Sequence, residues 1–150
     1  MGNTRSSEDK CIFCKICRKE HPDSKNILAE NEKLAIFSDI NPAAKHHYLV
    51  VPKQHINNPK TLNTKEHIEI IKEMVSFGKD YLQKQNDVEE KDTKIGFHWP
   101  PFISIEHLHL HIICPASSMS LLHRAMFNNS YMVDPEYVID RIESKIESQL

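Results

Sequence analysis

Residues 104–115 read SIEHLHLHIICP, with His107, His109 and His111 alternating with Leu108, Leu110 and Ile112. A period of two is the signature of a β-strand, where successive side chains leave on opposite faces. The run predicts a strand with three imidazoles on one face, spaced roughly 6–7 Å apart, and three aliphatic side chains in a core. The aliphatic row fixes the register, because a slip of one residue would bury the imidazoles and expose the leucines. A fold for this chain must therefore supply a sheet with one covered apolar face and a histidine face open to chemistry.

The remaining pattern supplies the cover. NILAE and KLAIFSDI, split by Asn31 and Glu32, predict a hairpin. HHYLVVPKQH predicts a strand closed by Pro52. TKIGFH predicts another, ending before WPP at 99–101. Residues 64–85 predict the main helix: Asn63 and Glu66 have capping-box spacing, and Ile68, Ile71, Val75, Gly78 and Leu82 share one face. Asp134 before Pro135 predicts the start of a C-terminal helix, with Val138, Ile142 and Ile146 as its buried stripe. CIFCKICRKE, residues 11–20, predicts a short helix or turn. About five strands with a main and a C-terminal helix make the expected class α+β around an antiparallel sheet. Residues 1–10 are expected to be a disordered tail, and 11–150 a single domain with a C-terminal helical extension.

Composition narrows the function classes. With 19 Lys+Arg against 21 Asp+Glu there is no broad basic surface, so stable nucleic-acid binding is not expected. No apolar run approaches the ~20 residues that span a bilayer. No secretory segment follows the polar start MGNTRSSEDK. The expected location is the cytoplasm, extending to the nucleus. Disulfides are rare there, so Cys11, Cys14, Cys17 and Cys114 read as thiols or metal ligands. MGNTRS fits the N-myristoylation pattern through Gly2 and Ser6. Acylation would give weak, reversible membrane contact; a polar tail also matches so short a pattern by chance.

Three imidazoles in register have three uses. They can be polar surface, although ionisable rings have no packing reason to line up. They can hold a metal, but three from one flat strand hardly reach one tetrahedral ion at ~2 Å without partners elsewhere. Or one ring attacks while its neighbours donate hydrogen bonds or protons. An unperturbed pKa of about 6.5 keeps histidine nucleophilic near pH 7.

HLHLHII, taken with CIFCKI (11–16), FSDINPAAKHHYLVVPKQHI (37–56) and GFHWPPFISIEHLHLH (96–111), resembles the Hint branch of the histidine-triad nucleotide-binding proteins. The resemblance covers about residues 11 to 115 and continues weakly into the C-terminal helix. It implies a homodimeric, HIT-like α+β fold that binds purine nucleoside monophosphates. It implies hydrolysis of adenosine 5′-phosphoramidates, and often of acyl-adenylates, through a covalent adenylyl-histidine on His109. His107, His111 and Ser104 would complete the catalytic group, with His111 at the phosphate oxygens and Ser104 near the leaving group. Backbone N–H groups near Ile105 would face the developing charge. The implied nucleoside pocket takes Asp39 for the ribose and Ile12, Phe13, Phe37 and Ile40 as apolar walls. His47, Leu110 and His98 are placed beside the nucleotide. Without the resemblance, the four apolar residues read as ordinary core and Asp39 as a turn residue. His46 and His47 leave opposite faces of their strand, so only one belongs at the site.

The chemistry requires no cofactor. Cys11-x-x-Cys14 is half of a zinc-ligand set. Some family members complete it with histidines, which here would be His55 and His107, and His107 would then be scaffold. Two idle thiols are the alternative. The chain also departs from the family: no glycine lies between His98 and Ser104, and the C-terminal segment is long. His123 and Arg124, in that segment, are within reach of a substrate on one reading and on a solvated surface on the preferred one. Two rivals remain: a nucleotide-binding, zinc-stabilised adaptor with little turnover, and a dinucleoside polyphosphate hydrolase or nucleotidyl transferase of the wider superfamily.

Overall fold

The computed structural model describes residues 8–150. Its sheet runs β1 (Ala29–Glu30), β2 (Leu34–Ser38), β3 (His46–Pro52), β5 (Leu110–Cys114), β4 (Lys94–His98), β6 (Met132–Val133), with every neighbouring pair antiparallel. The helices are α1 (Ile12–Cys17), α2 (Lys65–Gln83), α3 (Leu121–Met126) and α4 (Pro135–Ser148).

Strand alternation divides the core in two. Leu34, Ile36, Val50, Leu110 and Ile112 meet Ile71 and Met74 of α2, with Val138 and Ile142 of α4 behind them. The opposite face carries Ala35, Phe37, Leu49 and Val51, which pack on Phe13, Cys14 and Ile16 of α1. His47 and His111 belong to this second face. The long helix thus covers the sheet from behind, and the short one packs on its front.

The sequence expected about five strands, and there are six. The extra strand, β6, is two residues long and pairs Val133 with Phe97 and Met132 with His98 along the outer edge of β4. Its approach is close: a Cβ on Gly96 would lie 2.6 Å from the Val133 carbonyl oxygen. The histidine strand also starts later than the alternation predicts, at Leu110, so His107 and His109 precede it. That lead-in is anchored elsewhere, with the Leu108 N–H donating to the Ile56 carbonyl at 2.7 Å.

Helix α2 begins at Lys65 behind Thr64, not Asn63. The Thr64 hydroxyl accepts from the His67 N–H, and the His67 ring accepts from the Asn63 and Thr64 N–H groups. His67 replaces Glu66 as the box partner, because the box counts three residues from the true cap. Met74 completes the buried stripe where Val75 is only half-buried. Helix α4 starts as predicted, with the Asp134 carboxylate accepting from the Tyr137 N–H at 2.8 Å. Of the expected disordered tail, residues 8–10 are helical; Gly2 and Ser6 lie outside the described residues. Among the described residues no helix is long and apolar enough to cross a membrane.

Candidate active site

The histidine face opens into a cavity of about 540 Å³, within the range of small-ligand pockets. Its inner wall comes from α1 and the sheet: Ile12, Phe13, Ile16, Phe37 and Leu49. The end of β2 adds Asp39 and Ile40, and the latter is 87% exposed at the rim. His109, His111, His98 and Ser104 form the opposite end. His47 is completely buried behind His111 rather than lining the cavity.

Hydrogen bonds fix which nitrogen of each ring carries the proton. The Ala43 N–H donates to His47 Nδ1 at 2.9 Å, so neutral His47 carries its proton on Nε2. That N–H faces His111 Nδ1 at 2.9 Å and Asp39 Oδ2 at 3.4 Å. His111 then accepts on Nδ1 and holds its own proton on Nε2, a buried atom with no partner among the described residues. A buried donor left unpaired is costly, and this one belongs to a ring that lines the cavity. Asp39 is oriented by the Asn41 N–H, which donates to Oδ1 at 2.8 Å. His46 turns to the other face, between the Tyr48 hydroxyl and the Asn86 carbonyl.

His109 is set the opposite way. Its Nδ1–H donates to the His107 carbonyl at 2.7 Å, which leaves the Nε2 lone pair free. Phe13 meets the ring edge-on at 5.3 Å and His111 lies at 5.0 Å. Burial holds His109 below the ordinary histidine pKa, and His111 well below it. Burial likewise brings His47 to about 4, against the attraction of Asp39. These rings are therefore neutral at pH 7.

His107 stands apart. Its Nε2–H donates to the Pro52 carbonyl at 2.8 Å, and its Nδ1 faces Cys11 Sγ at 3.3 Å and Cys14 Sγ at 3.4 Å. His55 repeats the arrangement, with Nε2–H on the Asn57 side-chain oxygen at 2.8 Å and Nδ1 at 3.2 Å from Cys14 Sγ. All four ligand atoms lie within 4.8 Å of one another. Tetrahedral zinc with bonds of ~2.0–2.3 Å needs ligand atoms roughly 3.5 Å apart, so the donor set fits. Both outer nitrogens are held by oxygen acceptors, as ligating histidines usually are. Burial pushes the Cys14 thiol up to about 12, so it is protonated.

Two expected placements need correction. Leu110 is fully buried against α2 and does not line the cavity, because the strand period sends it to the other face. His107 belongs to the thiol cluster and is not among the cavity-lining residues. The sequence also missed several wall residues. Asp23 and Asn26, on the 3₁₀ turn Pro22–Asn26, edge the inner end. His123 and Met126 of α3, with Phe127 at its C-terminal end, close the other side. Of His123 and Arg124, weighed between substrate and solvent with solvent preferred, His123 lines the cavity, while Arg124 is spent on the Met119 and Ser117 carbonyls. Asp23 and Asn26 carry no motif; the apolar pair Met126–Phe127 after His123 was the only local signal for α3.

Comparison with known proteins agrees with this geometry. A family model described as "Scavenger mRNA decapping enzyme C-term binding" matches residues 10–127. The chain is 43% identical over 146 residues to adenosine 5'-monophosphoramidase HINT3 of Xenopus tropicalis, covering 96% of this chain and 94% of that protein. It is 44% identical over 102 residues to a bifunctional adenosine 5'-phosphosulfate phosphorylase/adenylylsulfatase, HINT4, of Arabidopsis thaliana, covering 67% of each. Among solved structures, a HIT family hydrolase from Clostridium thermocellum superposes with a TM-score of 0.62 at 30% identity, covering 70% of this chain and 90% of that one. With the triad on its strand lead-in, the shared sheet and this degree of identity over nearly the whole chain, the protein belongs to the histidine-triad superfamily.

Proposed function

We propose that this histidine-triad hydrolase cleaves the P–N bond of adenosine 5′-phosphoramidates, and the related bond of acyl-adenylates, through an adenylyl group carried on His109. The observation that supports it most is the fixed tautomer of His109: Nδ1–H on the His107 carbonyl and a free Nε2 lone pair at the cavity. In the first step Nε2 bonds to the α-phosphorus, and the P–N electron pair goes to the departing nitrogen. That nitrogen takes up a proton, since an amide anion is too poor a leaving group. The exposed Ser104 hydroxyl at the cavity rim is placed to pass it from solvent. The His111 Nε2–H meets the charge on the phosphoryl oxygens, a donor already oriented before substrate arrives. In the second step a water oxygen bonds to phosphorus, the P–Nε2 pair returns to His109, and AMP leaves as the water proton passes to solvent. Asp39 accepts from the ribose hydroxyls, and Phe13 and Phe37 flank the base.

The Cys11, Cys14, His55 and His107 set is proposed to hold a structural zinc, which would fix the His107 carbonyl against His109. A homodimer with a cytoplasmic location, extending to the nucleus, completes the proposal, and Gly2 is a candidate acylation site.

The test is intact mass and AMP release on brief mixing of wild type and His109→Ala with an adenosine 5′-phosphoramidate. A wild-type adduct of one adenylyl group with AMP formed, both absent in the variant, supports the route. Nucleotide binding with neither adduct nor AMP would favour the adaptor, and faster turnover of a diadenosine polyphosphate would favour the polyphosphate hydrolase.

A further inference from the structure

Beside the nucleotide cavity lies a second cleft of about 390 Å³, walled by Phe102, Ala125, Met126 and Tyr131 and reached past His98 and Ser104. His98, Ser104 and Met126 line both spaces, so the two meet at the triad end of the nucleotide cavity. From this geometry we infer that the cleft is the subsite for the leaving group, and that it takes aromatic or extended aliphatic groups. The inference rests on the proposed P–N hydrolysis and names the substrate class of that site.

Three observations carry it. The walls are apolar and face water: Phe102 is 53% exposed, Met126 48% and Tyr131 36%. Three large side chains of this kind, converging on one cleft beside a reaction centre, are surface that a ligand would cover. The Phe102 and Tyr131 rings stand edge-to-face with centroids 4.6 Å apart, a wall suited to a third ring. Second, among the described residues no Lys, Arg, Asp or Glu lines the cleft, and Arg124 next to it is held by two carbonyls. A phosphate chain or a carboxylate entering here would lose water without gaining a partner. Third, the walls are preorganised. The Trp99 N–H donates to the Tyr131 carbonyl and the Phe102 N–H to the Trp99 carbonyl, each at 2.9 Å. Arg141 sits over the Trp99 ring at 5.1 Å and holds the turn from behind. Little ordering cost is left for the ligand to meet.

The test compares adenosine 5′-phosphoramidates of methylamine, phenethylamine and glutamate, by kcat/KM and by the single-turnover rate of amine release. All three pass through the same adenylyl-histidine, so differences belong to the first step. Phenethylamine should exceed methylamine by roughly ten- to hundredfold, with glutamate below both. Phe102→Ala and Tyr131→Ala should each compress the phenethylamine-to-methylamine ratio severalfold. Equal kcat/KM for all three amines, with AMP formed, would overturn the subsite and leave P–N hydrolysis standing. A preference that survives unchanged in both variants would overturn it as well, by placing the discrimination elsewhere. No AMP from any of the three would remove the hydrolysis proposal and the subsite with it.

Discussion

His47 Nε2 lies 2.9 Å from His111 Nδ1, and the far side of His47 is held by the main-chain N–H of Ala43 at 2.9 Å. A backbone amide thereby dictates, through two rings, that His111 carries its proton on Nε2, the nitrogen proposed to meet the phosphate. His47→Leu removes the inner donor and leaves His111 Nδ1 buried and free to take the proton itself. The expected result is a loss of kcat on the order of 10²-fold with a smaller change in KM. His47→Gln, whose side chain can donate, should recover part of it. Steady-state kinetics on the three proteins checks the relay.

The same rings make stability depend on pH. Burial sets His47 at about 4 and His111 well below its ordinary value, whereas both take protons near pH 6.5 in the unfolded chain. Between about pH 4 and 6.5 the unfolded state binds more protons, so stability rises with pH there. The contribution is complete above about pH 7 and is lost as pH falls toward 4. The melting temperature should drop by roughly 10 °C between pH 7 and 5, and less steeply in His47→Gln. An equally steep drop in that variant would acquit His47.

Elemental analysis of protein purified without chelator should find about one zinc per chain, as a closed four-ligand site holds. Cys14→Ala should lose it and melt lower, because its thiol faces both ligand histidines. Wild type free of metal, with a melting temperature indifferent to added zinc, would return the two cysteines to the role of buried thiols.

Gly78 sets helix propensity against packing. Alanine is the better helix former by about 1 kcal/mol, yet its Cβ would lie 2.1 Å from Ile112 Cδ1 and 2.9 Å from Val50 Cγ2. Overpacking costs ~1–3 kcal/mol, and both contacts are deep in the sheet, so packing wins. Gly78→Ala should unfold at lower denaturant with an unchanged m-value.

Legibility in the sequence followed the length of the signal. The stripe from Ile68 to Leu82 and the Asp134–Pro135 start were readable because each is a local pattern with one physical cause. The opposite facing of His46 and His47 followed from strand geometry alone. Met132–Val133 was not readable as a strand, since two residues have no period and the pairing partners lie 34 and 36 residues earlier. Leu110 was misplaced by proximity in sequence, although the same alternation that put His109 at the cavity sends it inward. His107 shares the period of His109 and His111, yet Cys11 and Cys14, nearly a hundred residues away, claim its ring. The wall at Asp23, Asn26 and His123 is assembled by tertiary contact, which no local pattern announces.

The family match ends at Phe127, but the structure does not. Val133 pairs with the fully buried Phe97, and Val138 and Ile142 fill the layer behind the sheet. A chain cut at residue 127 would keep every histidine of the triad and lose the outer neighbour of β4, the Tyr131 wall and a share of the core. Catalytic inheritance and cooperative folding therefore have different lengths in this protein, and a minimal domain drawn from the first would not satisfy the second.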